Sequence, residues 1–162
     1  MSHDTTARKS SPSGRKLASP GAWLDEEASG LIGRAAGLLG ESLVGVVAFG
    51  SWTRGESRAA SDFDVLLIAE ECVPITRELY RRWDSKPALH WRGHEVEPHF
   101  VHLPSEGAVP SGMWAEVATD GIVLHERGLE VSERLAGIRE MISAGRISRR
   151  RVHGQSYWVR AG

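Results

Sequence analysis

The sequence predicts an α/β (α+β) fold in which a small mixed β-sheet of about four strands is flanked by helices. Two kinds of pattern predict it. Apolar residues recur every three or four positions over 22–39, which is typical of an amphipathic helix. Apolar runs of strand length follow at 43–49 and 63–69. Helix-like and strand-like segments then follow one another along the rest of the chain, without an internal repeat.

The predicted helices span 22–39, 76–84, 112–119 and 131–142. Gly40 is expected to end the first helix, and the last should end near Gly145, because glycine readily takes the conformation that closes a helix. The predicted strands span 43–49, 63–69, 94–102 and 122–125. The uninterrupted apolar run at 65–68 favours a central strand that is covered on both faces. Pro98 has no backbone N–H, so its strand is expected at an edge of the sheet or with a bulge.

Composition divides the chain into three parts. Residues 1–19 are polar and basic, and such a segment buries too little apolar surface to offset the entropy of ordering, so we expect a disordered basic tail. Residues 20–145 hold all the predicted elements and form the folded domain. Residues 146–162 are rich in arginine, and we expect a C-terminal tail that packs on the domain or extends from it, with a solvated tail as the simplest interpretation.

The bulk properties exclude several classes of protein. The 162 residues suffice for one domain with a core, and the net charge of −1 gives no general attraction to nucleic acid or anionic membrane. No apolar stretch approaches the roughly 20 residues of a membrane span, and no secretory signal is evident. Cys72 is the single cysteine, so no internal disulfide forms. These features predict a cytoplasmic protein.

The most informative motif lies between the first two strands. Gly50 and Ser51 follow the strand 43–49, and after ten further residues come Asp62 and Asp64. Alternate residues of a strand point to the same face, so the two carboxylates should project together. Adjacent carboxylates repel each other unless a cation lies between them, and oxygen ligands suit Mg²⁺. A Gly-Ser turn beside them would offer backbone N–H groups to a phosphate chain.

This Gly-Ser pair, ten-residue gap and Asp-x-Asp resemble the signature of minimal nucleotidyltransferases of the DNA polymerase beta-like superfamily. The resemblance implies a polymerase beta palm-like fold, two Mg²⁺ ions and a nucleoside triphosphate substrate, with ATP as the expected donor. It implies that Asp62 and Asp64 are shared metal ligands. Gly50 and Ser51 would then hold the β- or γ-phosphate.

The resemblance also implies a third carboxylate on a neighbouring strand, beside the metal that activates the attacking hydroxyl. Glu97 is the preferred residue because it shares a face with His99. Glu95 lies on the same face, and depth along the strand decides between them. Glutamate is one methylene longer than the aspartate that the family often has here. Arg54, more than Arg58, is close enough in sequence to contact phosphates.

Other types of site fit the sequence less well. Residues 94–99 do not fit the metalloprotease motif, whose histidines lie four residues apart on a helix. A zinc site of His94, His99 and His102 would be incidental. His99 is alternatively a partner of the carboxylates. Ser51 lacks the surroundings of a hydrolase nucleophile, and no lysine of a P-loop follows the glycine. Trp52 is a candidate to pack near a bound base.

The sequence therefore predicts a Mg²⁺-dependent enzyme that transfers a nucleoside monophosphate to a hydroxyl group. The resemblance points to two groups of acceptors: small molecules such as aminoglycosides, and a partner protein. In the second group the enzyme is an antitoxin that adds AMP to a separate HEPN-type toxin. The alternative function is a catalytically inactive protein of the same fold that acts by docking. RNA binding through the arginine-rich tail is a third, less favoured function.

Overall fold

The computed structural model describes the backbone of residues 20–162 and the side chains from residue 27 onward. The predicted tail at 1–19 lies outside the described residues. Within them, the helices are α1 (Pro20–Leu39), α2 (Arg77–Asp84), α3 (Gly112–Asp120) and α4 (Glu130–Ser143). The strands are β1 (Leu43–Ala48), β2 (Phe63–Ala69), β3 (His90–Trp91), β4 (His94–His102), β5 (Ile122–Glu126), β6 (Ile147–Val152) and β7 (Gln155–Arg160). The predicted fold class, a small mixed sheet flanked by helices, is confirmed.

The main sheet has five strands in the order β3-β4-β2-β1-β5. The pairing of β2 with β4 is parallel, and the other pairs are antiparallel. The fifth strand, which the sequence did not indicate, is the two-residue β3 at the end of the sheet. The central position predicted for β2 is confirmed. Pro98 lies on β4 beyond the short pairing with β3, so its missing N–H falls at an open edge, as predicted.

The two faces of the sheet are covered by different helices, and β2 contributes to both. Phe63, Val65 and Leu67 pack with buried residues of α1 and α2. Leu66 and Ile68 pack with buried residues of α3 and α4. Because the positions alternate, Asp64 belongs to the face that carries α3 and α4, at the start of the strand. Each fully buried aliphatic side chain contributes about 1.5–3 kcal/mol, so this core fixes the strand that positions Asp64.

The arginine-rich C-terminal segment, which we predicted as a tail without regular structure, forms an antiparallel hairpin of β6 and β7. His153 and Gly154 make the connecting turn with φ values of +49° and +81°. Two successive residues with positive φ are the mark of a tight hairpin turn whose twist matches the strands. Ile147 is buried and Trp158 packs beside it in the core near α3 and α4, so the hairpin is attached to the domain.

None of the helices in the described part of the chain combines the length and the apolar character that a membrane crossing requires.

Candidate functional site

The Gly-Ser bend leaves β1 and runs directly over the start of β2. The Phe49 N–H donates to the Asp64 carbonyl oxygen at 3.1 Å, which joins the bend to the neighbouring strand. Gly50 has a φ of +86°, a conformation that favours glycine. A Cβ atom at Gly50 would lie 2.7 Å from Oδ2 of Asp64. The bend therefore approaches the Asp64 carboxylate as closely as a residue without a side chain permits.

The bend is closed by two further hydrogen bonds and leaves its first N–H groups free. The Thr53 hydroxyl donates to the Gly50 carbonyl oxygen at 3.0 Å, and the Glu56 N–H donates to the Ser51 carbonyl oxygen at 2.8 Å. Neither the Gly50 N–H nor the Ser51 N–H has an acceptor within residues 27–162. Free N–H groups at a turn are what an anion such as a phosphate binds.

The carboxylates occupy neighbouring positions of the sheet. Asp64 is partly buried, and its register partner on the parallel strand β4 is Glu97. Partners in register share a face of the sheet, so their side chains leave from the same side. Asp62 is exposed and directly precedes β2, and continuing the register sets it level with Glu95. Glu97 is thus the acid level with Asp64, whereas Glu95 is level with Asp62.

His99 contacts the Asp64 carboxylate, as the alternation along β4 suggested. Its Nε2–H donates to Oδ1 of Asp64 at 3.0 Å. The imidazole also meets the ring of Phe49 edge to face, with centroids 5.3 Å apart. One carboxylate oxygen therefore faces the histidine and the other faces Gly50, which fixes the orientation of Asp64.

The donors of this site fit a hard cation in kind, because they are carboxylate oxygens on one face of a sheet. Among residues 27–162, however, no group of three His, Cys, Asp or Glu side chains is close enough together to hold a metal ion. Asp64 is instead held by His99. A three-carboxylate set is therefore not assembled in the conformation that the structure describes.

The arginines predicted to contact phosphates have different surroundings. Arg54 donates through Nε to Glu56 at 2.9 Å and lies 3.8 Å from a carboxylate oxygen of Glu116 on α3. The hydrogen bond and charge of Arg54 lower the pKa of the Glu56 carboxyl. Arg58 is exposed. Arg54 therefore already has acidic partners. It also lines a groove beside the β6–β7 hairpin.

The three histidines of the alternative zinc site are each bonded elsewhere. A ring nitrogen of His94 lies 2.7 Å from the Ser61 carbonyl oxygen, and one of His102 lies 2.8 Å from the Val73 carbonyl oxygen. His99 binds Asp64 as described. Each imidazole thus stabilises a different part of the chain around β4.

Trp52 belongs to an aromatic cluster under the loop. Its ring meets Phe63 and Trp91 edge to face, with centroids 5.1 and 5.8 Å away. The Arg92 guanidinium lies 5.7 Å from its centroid. These contacts make Trp52 a structural support of the bend.

No protein-family model matches the sequence, and no curated protein matches it. Several solved structures are similar in fold. A toxin–antitoxin with AMP-PNP has a TM-score of 0.49 at 18% identity, covering 73% of this chain and 89% of that one. A tri-AMPylated HEPN toxin from Shewanella oneidensis in complex with an MNT antitoxin gives 0.48 at 16% identity, with coverages of 76% and 89%. A mutant of the toxin–antitoxin MntA–HpeT gives 0.48 at 17% identity, with coverages of 73% and 89%.

Proposed function

We propose that this protein is a Mg²⁺-dependent nucleotidyltransferase whose active site lies between the Gly50-Ser51 bend and the acids at the start of β2. The observation that carries the proposal is the contact of Gly50 with Asp64, where a Cβ would lie 2.7 Å from the carboxylate oxygen. A glycine bend with free N–H groups thus adjoins an acid that suits a cation. Triphosphate and metal need to be adjacent, and this arrangement supplies both binding elements at one place.

The residues of the chain have distinct roles in this proposal. The N–H groups of Gly50 and Ser51, with the Ser51 hydroxyl, bind oxygens of the β- or γ-phosphate. Asp62 and Asp64 hold the cations together with Glu97. Bound Mg²⁺ supplies charge neutralisation for the triphosphate and alignment of the reacting oxygens. The reaction is attack by an acceptor hydroxyl on the α-phosphorus, with pyrophosphate as the leaving group.

His99 and Arg54 act beside these groups. His99 holds one oxygen of Asp64 and so limits the rotation of the carboxylate, in the way that outer partners orient metal ligands. Arg54 contacts phosphate by exchanging Glu56 for the ligand. Ion pairs at the surface stabilise a protein only weakly, so this exchange carries little cost.

The proposed transfer is of AMP from ATP to a hydroxyl of a protein or small molecule. The spacing of Gly50-Ser51 and Asp62-x-Asp64 fits antitoxins that modify a partner, and a HEPN-type toxin encoded separately is the acceptor that this resemblance implies. The cytoplasm is the compartment where such a pair would act.

The experiment is incubation of the purified protein with each α-labelled nucleoside triphosphate and Mg²⁺ in a lysate of its native host. We expect label from ATP on one acceptor, and loss of labelling in Asp62→Asn and Asp64→Asn. Asp84→Asn is the matched control, because it makes the same change at an exposed position at the end of α2. Labelling that survives either site variant would refute the assignment of the acids.

A second candidate function is a protein that keeps this fold and acts by docking without transfer. The observation that favours it is the Asp64–His99 hydrogen bond together with the unassembled three-carboxylate set within residues 27–162. Such a protein would leave every acceptor unlabelled in the assay above and would still bind its partner.

A further inference from the structure

The C-terminal hairpin concentrates positive charge at one end of the molecule. Residues 141–162 contain five arginines and neither aspartate nor glutamate, although the net charge of the whole chain is −1. A surface with one sign of charge attracts partners of the opposite sign and speeds their association. The hairpin is therefore the part of the described chain whose charge most clearly selects a partner.

Glu116 on α3 fixes the hairpin to the domain. Trp158 donates its Nε1–H to Glu116 at 2.9 Å, and Arg149 donates to the same side chain at 3.0 Å. Arg149 also lies 3.5 Å from Asp120. Arg149 is thus neutralised, whereas Arg150 and Arg151 form no salt bridge with any residue of the described part. The charges without an acidic partner are therefore on a hairpin that Glu116 attaches to the domain.

The inner face of the hairpin forms one wall of a polar groove. The groove has a volume of about 640 Å³. From the hairpin side it is lined by Arg149, Arg150, Arg151 and Ser156. Thr53 and Arg54, from the loop that follows the Gly-Ser bend, line the opposite side. Arg54 and Arg149 are paired with acids, and Glu56 and Asp120 also line the groove. The cations left for an entering acidic group are therefore Arg150 and Arg151, beside the loop of the proposed active site.

The outer face of the hairpin carries exposed apolar side chains. Val152, Tyr157 and Val159 share this face in the strand register, and 47%, 46% and 37% of their surfaces are exposed. Ser148, Arg150 and Gln155 share this face in the register, and Arg150, the partner of Tyr157, also borders the groove. Exposed apolar side chains grouped with tyrosine and arginine are typical of a protein-binding surface.

The two strands form a sheet of their own, so within the described residues each has one edge without a paired strand. Such an edge presents unpaired N–H and C=O groups to which another extended segment can add. An added strand continues both faces of the hairpin. Its residues alternate between the groove and the outer face.

We propose that the β6–β7 hairpin is a docking surface for an extended segment of a partner protein in which acidic and apolar residues alternate. The acidic side chains face the groove and the apolar ones continue the outer face. The exposed Val152, Tyr157 and Val159 match apolar side chains, which an RNA strand lacks, and this favours a protein segment over RNA. Two copies of the hairpin would repel each other by like charge. The docking is separate from nucleotidyl transfer.

The test uses the full chain without nucleotide or Mg²⁺ and measures fluorescence anisotropy. The probes are a labelled peptide of alternating Glu and Val, a control peptide of alternating Lys and Val, and a single-stranded oligouridylate. We expect saturable binding of the acidic peptide only. The double variant Arg150→Glu, Tyr157→Ser should weaken it by about tenfold or more, because it removes charge attraction and apolar contact together.

Arg77→Glu is the matched control, since it makes the same charge change at an exposed position on α2, and it should bind the peptide like the unaltered protein. Asp64→Asn should also bind normally, so loss of transfer and loss of docking are separable. The proposal is overturned if the acidic peptide does not bind saturably. It is equally overturned if Arg77→Glu weakens binding as much as the hairpin variant, or if the RNA binds more tightly than the acidic peptide.

Discussion

Replacing Gly50 by alanine should disturb the candidate site through two separable effects. The first is backbone strain, because φ at Gly50 is +86°, and a left-handed conformation costs a residue with a Cβ about 1–2 kcal/mol. The second is the contact of the new Cβ, 2.7 Å from Oδ2 of Asp64, which forces the carboxylate to move. Moving it off its rotamer costs about 0.5–1.5 kcal/mol. Gly50→Ala should therefore lower the free energy of unfolding by about 1.5–3.5 kcal/mol.

Gly55 in the same loop provides the matched control. Its φ is +69°, and a Cβ there would have no neighbour within 4 Å. Gly55→Ala should thus lose only the strain of about 1–2 kcal/mol and leave ATP binding intact. Urea denaturation measures the free energies of unfolding, and calorimetric titration measures ATP binding in the presence of Mg²⁺. Equal destabilisation of the two variants, with ATP binding retained in both, would refute the close approach of the bend to Asp64.

Three further results are expected. His99→Ala should cost about 0.5–1.5 kcal/mol in urea unfolding and weaken Mg²⁺-dependent ATP binding, because Asp64 loses the donor that orients it, and His99→Gln should restore part of that binding. Gly45→Ala should cost about 1–3 kcal/mol, since its Cβ would lie 2.6 Å from a methyl group of α4 and 3.0 Å from a carbonyl oxygen of β5; unchanged stability would show that the sheet adjusts freely there. The hydrogen bond from Arg127 lowers the pKa of the Glu70 carboxyl, so this contribution to stability is present at neutral pH and is lost as the pH falls through the lowered pKa. In Glu70→Gln, the melting temperature should fall less steeply as the pH is lowered. The same pH dependence in the variant and the unaltered protein would contradict the pairing.

The elements around the site could be predicted because their patterns are local. The apolar run of 63–69 fixed the bounds of β2, and its lack of alternation indicated the central position that the sheet order confirms. Pro98 indicated an edge by its missing N–H. The alternation along β4 set His99 on the face of the acids, where it binds Asp64.

The C-terminal hairpin was missed because its composition concealed its pattern. Three successive arginines on β6 predicted a solvated segment, because a run of arginines does not indicate which face of a strand is buried. The signal that could have found the hairpin is the His153-Gly154 pair, a two-residue loop followed by the aromatic run Tyr157-Trp158. The role of Glu116 had no such signal. Its contacts with Arg54 and the hairpin join distant parts of the chain and arise only from tertiary packing.

The arrangement of the acids could be predicted only in part. Register shows that Glu97 is level with Asp64, and this depends on the parallel pairing of β2 with β4, which spacing along the sequence does not reveal. The side chains of Asp62, Asp64 and Glu97 would have to converge on a cation. A bound cation would favour rotamers that bring them together, because bare carboxylates repel each other.

The most direct test is calorimetric titration of ATP into the protein with and without Mg²⁺, repeated with Asp64→Asn. We expect ATP binding that requires Mg²⁺ and disappears in the variant, because in our proposal the acid beside the Gly50 bend holds the cation that the triphosphate needs. ATP binding of equal strength without Mg²⁺, or unchanged in Asp64→Asn, would contradict it.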